Sequence, residues 1–160
     1  MFFSSDITTL LRKNSIINLK LEDYIMKNIA VNYFKSGYSC SESVVQAAVE
    51  KGYVPQELLS VATPFSGGMG IKCLCGAVAG SQLVIGSLCG KNKERDGMKA
   101  RSLAKQFNEK FAEKYKVNCC KVLSAGYDFH SPERKEHCCN MVVDSCIILE
   151  EILKENLVKA

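Results

Sequence analysis

Nine cysteines in 160 residues set the chemistry open to this chain. Two of them arrive together in the run Gly67-Gly68-Met69-Gly70-Ile71-Lys72-Cys73-Leu74-Cys75-Gly76-Ala77-Val78-Ala79-Gly80. There a glycine-rich loop delivers Cys73 and Cys75 to the start of an apolar, small-residue helix. The first N–H groups of a helix lack intrahelical partners and carry the positive end of its dipole, which favours a thiolate at that position. Cys40 and Cys119 also fall at or near expected helix starts, and Lys72, Lys116 and Lys121 lie close in sequence to Cys75 and Cys119. Nearby ammonium groups draw a thiol pKa down in the same direction. A thiolate so placed can attack a disulfide or bind a soft metal. Against each single cysteine stands ordinary packing, because cysteine is among the residues most often buried.

The other cysteines sort by position. Cys138, Cys139 and Cys146 lie in one C-terminal helix, whose best apolar stripe is Cys139, Val142, Cys146, Leu149 and Leu153. That periodicity makes Cys139 and Cys146 core, with Cys138 at the edge of the same face; spacing does not decide which of Cys138 and Cys139 is the working thiol. Cys89 ends a central helix and reads as packing. No pair has C-x-x-C spacing, so a thioredoxin-like motif and a zinc ribbon are both absent. Any four-sulfur site must be assembled from distant segments. His130 and His137 read as solvated or capping groups, although His137 stands beside Cys138. No phosphate loop, nucleophile elbow or dinucleotide fingerprint is present.

Composition narrows the setting. With 47% hydrophobic residues the chain can bury a core without covalent staples. The start Met1-Phe2-Phe3-Ser4-Ser5-Asp6 has neither the basic opening nor the apolar run of a secretory signal, so the chain reads as cytoplasmic. In a reducing compartment many cysteines, odd in number, argue for thiol redox chemistry or metal ligation rather than structural disulfides. The net charge of +4 arises from interspersed acids and bases, which argues against nucleic-acid binding. The uncharged run Cys73 to Gly90 reaches the minimum length of a membrane span, but its four glycines, Ser81, Gln82 and Ser87 make it a buried helix instead.

The elements that must position these sulfurs are helical. Apolar residues at three- and four-residue intervals predict a helix from about Leu21 to Lys35. Ser39-Cys40-Ser41-Glu42 has the spacing of a capping box and puts Cys40 at the first helical position. A short helix is expected from Pro55, then a loop over Thr63 to Gly70, which the glycines free for positive φ. The small face Gly76, Ala77, Gly80 and Ser81 of the next helix would let a neighbouring backbone pack close. Another helix follows from about Lys93 to Lys116 with Met98, Leu103, Phe107 and Phe111 inward. Asn118 would cap a short helix ending near Gly126, and Ser131-Pro132-Glu133 would open the last one. No segment alternates with period two, so the chain is expected to be all-α, a single-domain helical bundle around a buried small-residue helix. The domain would span residues 26–160. Residues 1–25 read as an N-terminal extension: an extra helix, a frayed arm, or the product of an upstream start codon.

The motif Cys75-Gly76-Ala77-Val78-Ala79-Gly80, taken with Ser39-Cys40-Ser41-Glu42 and the two later cysteine segments, resembles the C_GCAxxG_C_C family of putative redox-active proteins. The resemblance spans roughly Met26 to Leu157. Members carry a CGAxxG motif and four cysteines, and commonly lie near transporter genes. Here the resemblance implies Cys40, Cys75, Cys119 and Cys138, with Cys73, Cys120 and Cys139 as alternates within two residues of those places. It implies a four-thiolate site for an iron–sulfur cluster or other thiophilic metal, serving electron transfer or metal and redox sensing. Gly68, Gly70 and Gly76 would bring backbone N–H groups close to it. The implied partners are a redox protein or the metal, without membrane insertion; a homo-oligomer is compatible with all of this. A second reading is metal-free thiol–disulfide exchange, with Cys75 as a low-pKa nucleophile and Cys40, Cys119 or Cys138 resolving it. On either reading the chain would be an oxidoreductase or electron-transfer component. A third reading is a helical interaction protein whose cysteines only pack.

Overall fold

In the computed structural model, which describes residues 25–157, helices form where the sequence carries caps and apolar stripes. Seven are present among the described residues: α1 (Met26–Lys35), α2 (Cys40–Glu50), α3 (Leu58–Ala62), α4 (Gly76–Cys89), α5 (Met98–Tyr115), α6 (Cys120–Leu123) and α7 (Pro132–Leu157). No strand occurs among them, and the all-α expectation holds. The N-terminal extension, including Leu10, Leu11, Ile16, Ile17 and Leu19, lies outside the described residues apart from Ile25. So do Leu21 and Tyr24 of the first expected helix.

Helix α2 begins with the capping box: the Glu42 carboxylate accepts from the Ser39 N–H at 2.8 Å, and the Ser39 hydroxyl accepts from the Glu42 N–H at 3.4 Å. Its partner is α4. A Cβ added to Gly80 would lie 2.7 Å from the Ser41 carbonyl oxygen, and one added to Gly76 would lie 3.2 Å from the Cys40 Cβ. The small face thus lets the two helix backbones close to a separation no larger residue permits. The Ser41 hydroxyl, fully buried, donates to the Ala62 carbonyl at 2.9 Å and ties α2 to α3.

The core sits between α7 and the other long helices. Val142, Cys146, Leu149 and Ile152 of α7 are fully buried with Phe107 and Phe111 of α5, Val78 and Val84 of α4, Val44 and Val45 of α2, and Met26 of α1. Each such side chain contributes about 1.5–3 kcal/mol by leaving water. That apolar core, rather than covalent cross-links, holds the bundle; all nine cysteines are free thiols. Glu150, buried in α7, is paired with Lys51 at 3.5 Å and Lys154 at 3.6 Å.

Several expected boundaries shift. Helix α5 starts at Met98, not Lys93, because Gly97 takes φ +83° and the Asp96 carboxylate accepts from the Met98 N–H. Met98 therefore overhangs the core at 61% exposure instead of pointing inward, whereas Leu103, Phe107 and Phe111 are buried as expected. Helix α3 starts at Leu58, and a single 3₁₀ turn, Thr63–Phe65, occupies the start of the expected loop. Asn118 does not cap α6: its side-chain amide donates to Asn108 at 2.7 Å, and Cys119 stands at the cap position. The start of α7 is as expected, with the Ser131 hydroxyl accepting from the Arg134 N–H at 3.1 Å. Among the described residues no helix is long and apolar enough to cross a membrane.

Candidate functional site

Four thiols from four elements line one pocket of about 530 Å³: Cys40 at the first position of α2, Cys75 at the cap of α4, Cys120 at the first position of α6, and Cys138 in the second turn of α7. Phe34 of α1, Met141 of α7, Phe129 and Pro132 give it apolar walls. The loop Gly67–Gly68 closes one side. Gly68 has φ +66°, and a Cβ on it would meet the Cys73 amide nitrogen at 2.6 Å and the Cys120 Cβ at 2.8 Å, so only glycine lets this loop lie against the Cys120 thiol. Gly76 also lines the pocket, whereas Gly70 faces open space and does not reach it.

A short antiparallel bridge decides which of the paired cysteines points inward. Leu74 and Cys119 pair across it, the Cys75 N–H donates to the Asn118 carbonyl at 2.8 Å, and the Cys120 N–H donates to the Cys73 carbonyl. This register turns Cys120 into the pocket and leaves Cys119 half-exposed, its thiol directed to the Lys72 carbonyl at 3.7 Å. Cys73 is exposed outside the pocket. In α7 the choice falls on Cys138, which is buried and lines the pocket; Cys139 is half-buried and does not. The structure therefore brings together Cys40, Cys75, Cys120 and Cys138 and leaves out Cys119, Cys73 and Cys139. Cys146 and Cys89 are core.

Cys40 and Cys138 line the same pocket, and their mutual interaction splits the two titrations. It holds the Cys138 thiol down at about 6; burial opposes the shift, and the positive charges of Arg134 and His137 reinforce it. The same interaction pushes Cys40 well above the usual thiol range, with burial and the neighbouring sulfurs adding to the rise. His137 is fixed: its Nε2–H donates to the Leu123 carbonyl at 2.7 Å and its ring stacks on Tyr127 with centroids 4.7 Å apart. Cys75 behaves opposite to the expectation of an acidic thiol. Burial pushes it up to about 11, outweighing the Val78 and Ala77 amides that favour its thiolate. Cys120 is also raised, first by burial and then by Cys138.

The thiol donor set suits iron–sulfur or zinc chemistry, which needs soft sulfur ligands. In the arrangement described, however, no three histidine, cysteine, aspartate or glutamate side chains group closely enough to hold an ion, among the described residues. What the geometry brings together is four thiols lining one pocket.

Fold and pocket define an all-α protein with a clustered-thiol site. Over residues 38–152 the chain matches the family described as putative redox-active protein (C_GCAxxG_C_C), and it belongs to that family. The matched span contains all four pocket thiols. No curated protein and no solved structure matches the chain.

Proposed function

We propose that the chain performs reversible thiol–disulfide chemistry, with Cys138 as nucleophile and Cys40 as resolving thiol. The single observation carrying this is that Cys40 and Cys138 line one accessible pocket with the Arg134 guanidinium, one turn before Cys138, which favours a thiolate there with a second thiol in the same pocket. The Cys138 thiolate attacks a disulfide R–S–S–R, breaking that bond and releasing one thiolate, which takes a proton from water. Cys40 then loses its proton, attacks the Cys138 sulfur and expels the second thiol. The protein dithiol is oxidised by two electrons, the substrate is reduced to two thiols, and an external dithiol returns the pair to its starting state. A reducing cytoplasm would keep the pair reduced at rest. The test is differential alkylation with peptide mapping after oxidation: a Cys40–Cys138 link that Cys40→Ser and Cys138→Ser both abolish, and Cys75→Ser leaves in place, is the expected result.

A second reading, an iron–sulfur cluster or thiophilic metal on Cys40, Cys75, Cys120 and Cys138, is supported by the convergence of four thiols from four elements on one pocket. Such a group would supply one-electron transfer, or a fixed thiolate scaffold in the case of zinc. Gly68 and Gly76 would keep the backbone close enough for those side chains to turn inward. Anaerobic purification with iron and zinc analysis distinguishes the readings: stoichiometric metal lost in all four cysteine-to-alanine variants would favour this one.

A further inference from the structure

The pocket has a charge pattern as well as sulfurs. None of its lining residues is acidic, while Arg134, Lys135 and His130 all line it. Arg134 is held in place by three contacts. Its backbone N–H donates to the Ser131 hydroxyl, Nη1 donates to the Phe129 carbonyl at 3.0 Å, and the guanidinium lies 4.3 Å from the centroid of the Phe129 ring. The Lys72 ammonium sits 5.0 Å from the same ring. The acids nearby are committed or off the lining. The Glu42 carboxylate accepts from Ser39 and Thr63, the Asp128 carboxylate accepts from the His130 N–H at 2.9 Å, and Glu133 and Glu136 do not line the pocket.

A fixed guanidinium one helical turn before Cys138 presents N–H donors suited to a carboxylate. The volume fits a small molecule rather than a protein loop. Phe34, Met141 and Phe129 would cover a short aliphatic stem. We infer that the substrate of this site is a low-molecular-weight disulfide carrying carboxylates, held by Arg134 and Lys135 while its sulfur meets Cys138. This rests on the Cys40–Cys138 reading. The reaction is the exchange given above: the anionic disulfide is reduced to two thiols, the protein pair is oxidised to its disulfide, and an external dithiol reductant restores it.

The test uses the full, reduced chain and three disulfides that differ in charge: dithiodipropionate, bis(hydroxyethyl) disulfide and cystamine. Formation of the Cys40–Cys138 disulfide is timed by alkylation quench, and each rate is divided by that of N-acetylcysteine amide with the same reagent to remove intrinsic reactivity. The expected order is anionic, neutral, cationic, with the extremes at least about tenfold apart at low salt and converging as salt is added. In Arg134→Gln and Lys135→Gln the anionic-to-neutral ratio falls toward one; taking the ratio cancels any change in the thiolate itself. The salt series on the unaltered chain needs no variant to fold. Equal normalised rates, or cystamine fastest, would overturn the charge inference and leave the thiol pair standing. No oxidation of the pair by any of the three would overturn both.

Discussion

At the scale of single residues, the distinction that matters is between an acidified thiol and a merely buried one. Because a thiolate and not a thiol is alkylated, Cys138 is expected to react with iodoacetamide along a curve that rises through pH about 6 and levels off above it. Cys75 should stay slow until the pH approaches about 11. Peptide-resolved alkylation across pH reads both. In Cys40→Ala the Cys138 curve should move to higher pH, because the largest of the influences favouring its thiolate is removed; an unmoved curve would leave Arg134 and His137 as the whole cause. In sequence, the helix start and Lys72 point to Cys75 as the acidic thiol. The Val78 and Ala77 amides at the helix start do favour the Cys75 thiolate, but they count for less than the loss of water around a buried sulfur, and Lys72 acts on Cys120 instead. The signal present in sequence is Arg134 one turn before Cys138 and His137 next to it; what it lacks is that Cys40 shares the pocket with that thiol.

At the scale of elements, glycines and caps decide where the sulfurs stand. Gly80→Ala would drive a methyl group to within 2.7 Å of the Ser41 carbonyl and is expected to destabilise the bundle by about 1–3 kcal/mol. Gly86→Ala on the exposed face of the same helix meets nothing within 4 Å and should stabilise by up to about 1 kcal/mol. Chemical denaturation of the two variants separates close packing from plain helix propensity; equal effects would mean that the α2–α4 approach is not tight. Ser39→Ala removes one half of the capping box and should cost about 1 kcal/mol. The capping box and the small face of α4 were both legible, since each is a local pattern with one geometric solution. The inward choice of Cys120 over Cys119 was not, because it follows from pairing between Leu74 and Cys119, which are far apart in sequence. Likewise Met98 fits the stripe of α5 but lies beyond the end of the core that the stripe packs on.

For the whole molecule, the apolar core holds the bundle while all nine cysteines are free thiols, so no pocket sulfur is tied up in a structural cross-link. An all-α bundle could be read from sequence, because no segment alternates with period two and several long segments repeat at helical spacing. The convergence of four cysteines could not, since it depends on how α2, α4, α6 and α7 are arranged in space. A Cys40–Cys138 disulfide would tie α2 to α7 across most of the described chain and restrict the unfolded state. On the loop-closure account the oxidised protein should resist urea more than the reduced one by up to about 4 kcal/mol. Equal midpoints would indicate that closing the bond strains the pocket.

In the proposed mechanism one pair among the nine thiols carries the redox change. The most direct measurement is equilibration of the full chain in buffers of graded thiol–disulfide potential, with differential alkylation and peptide mapping at each step. A single two-electron transition is expected, in which Cys40 and Cys138 lose reactivity together and are recovered as one linked peptide. Retention of both as free thiols throughout, or linkage of Cys75 to Cys120 in their place, would contradict it.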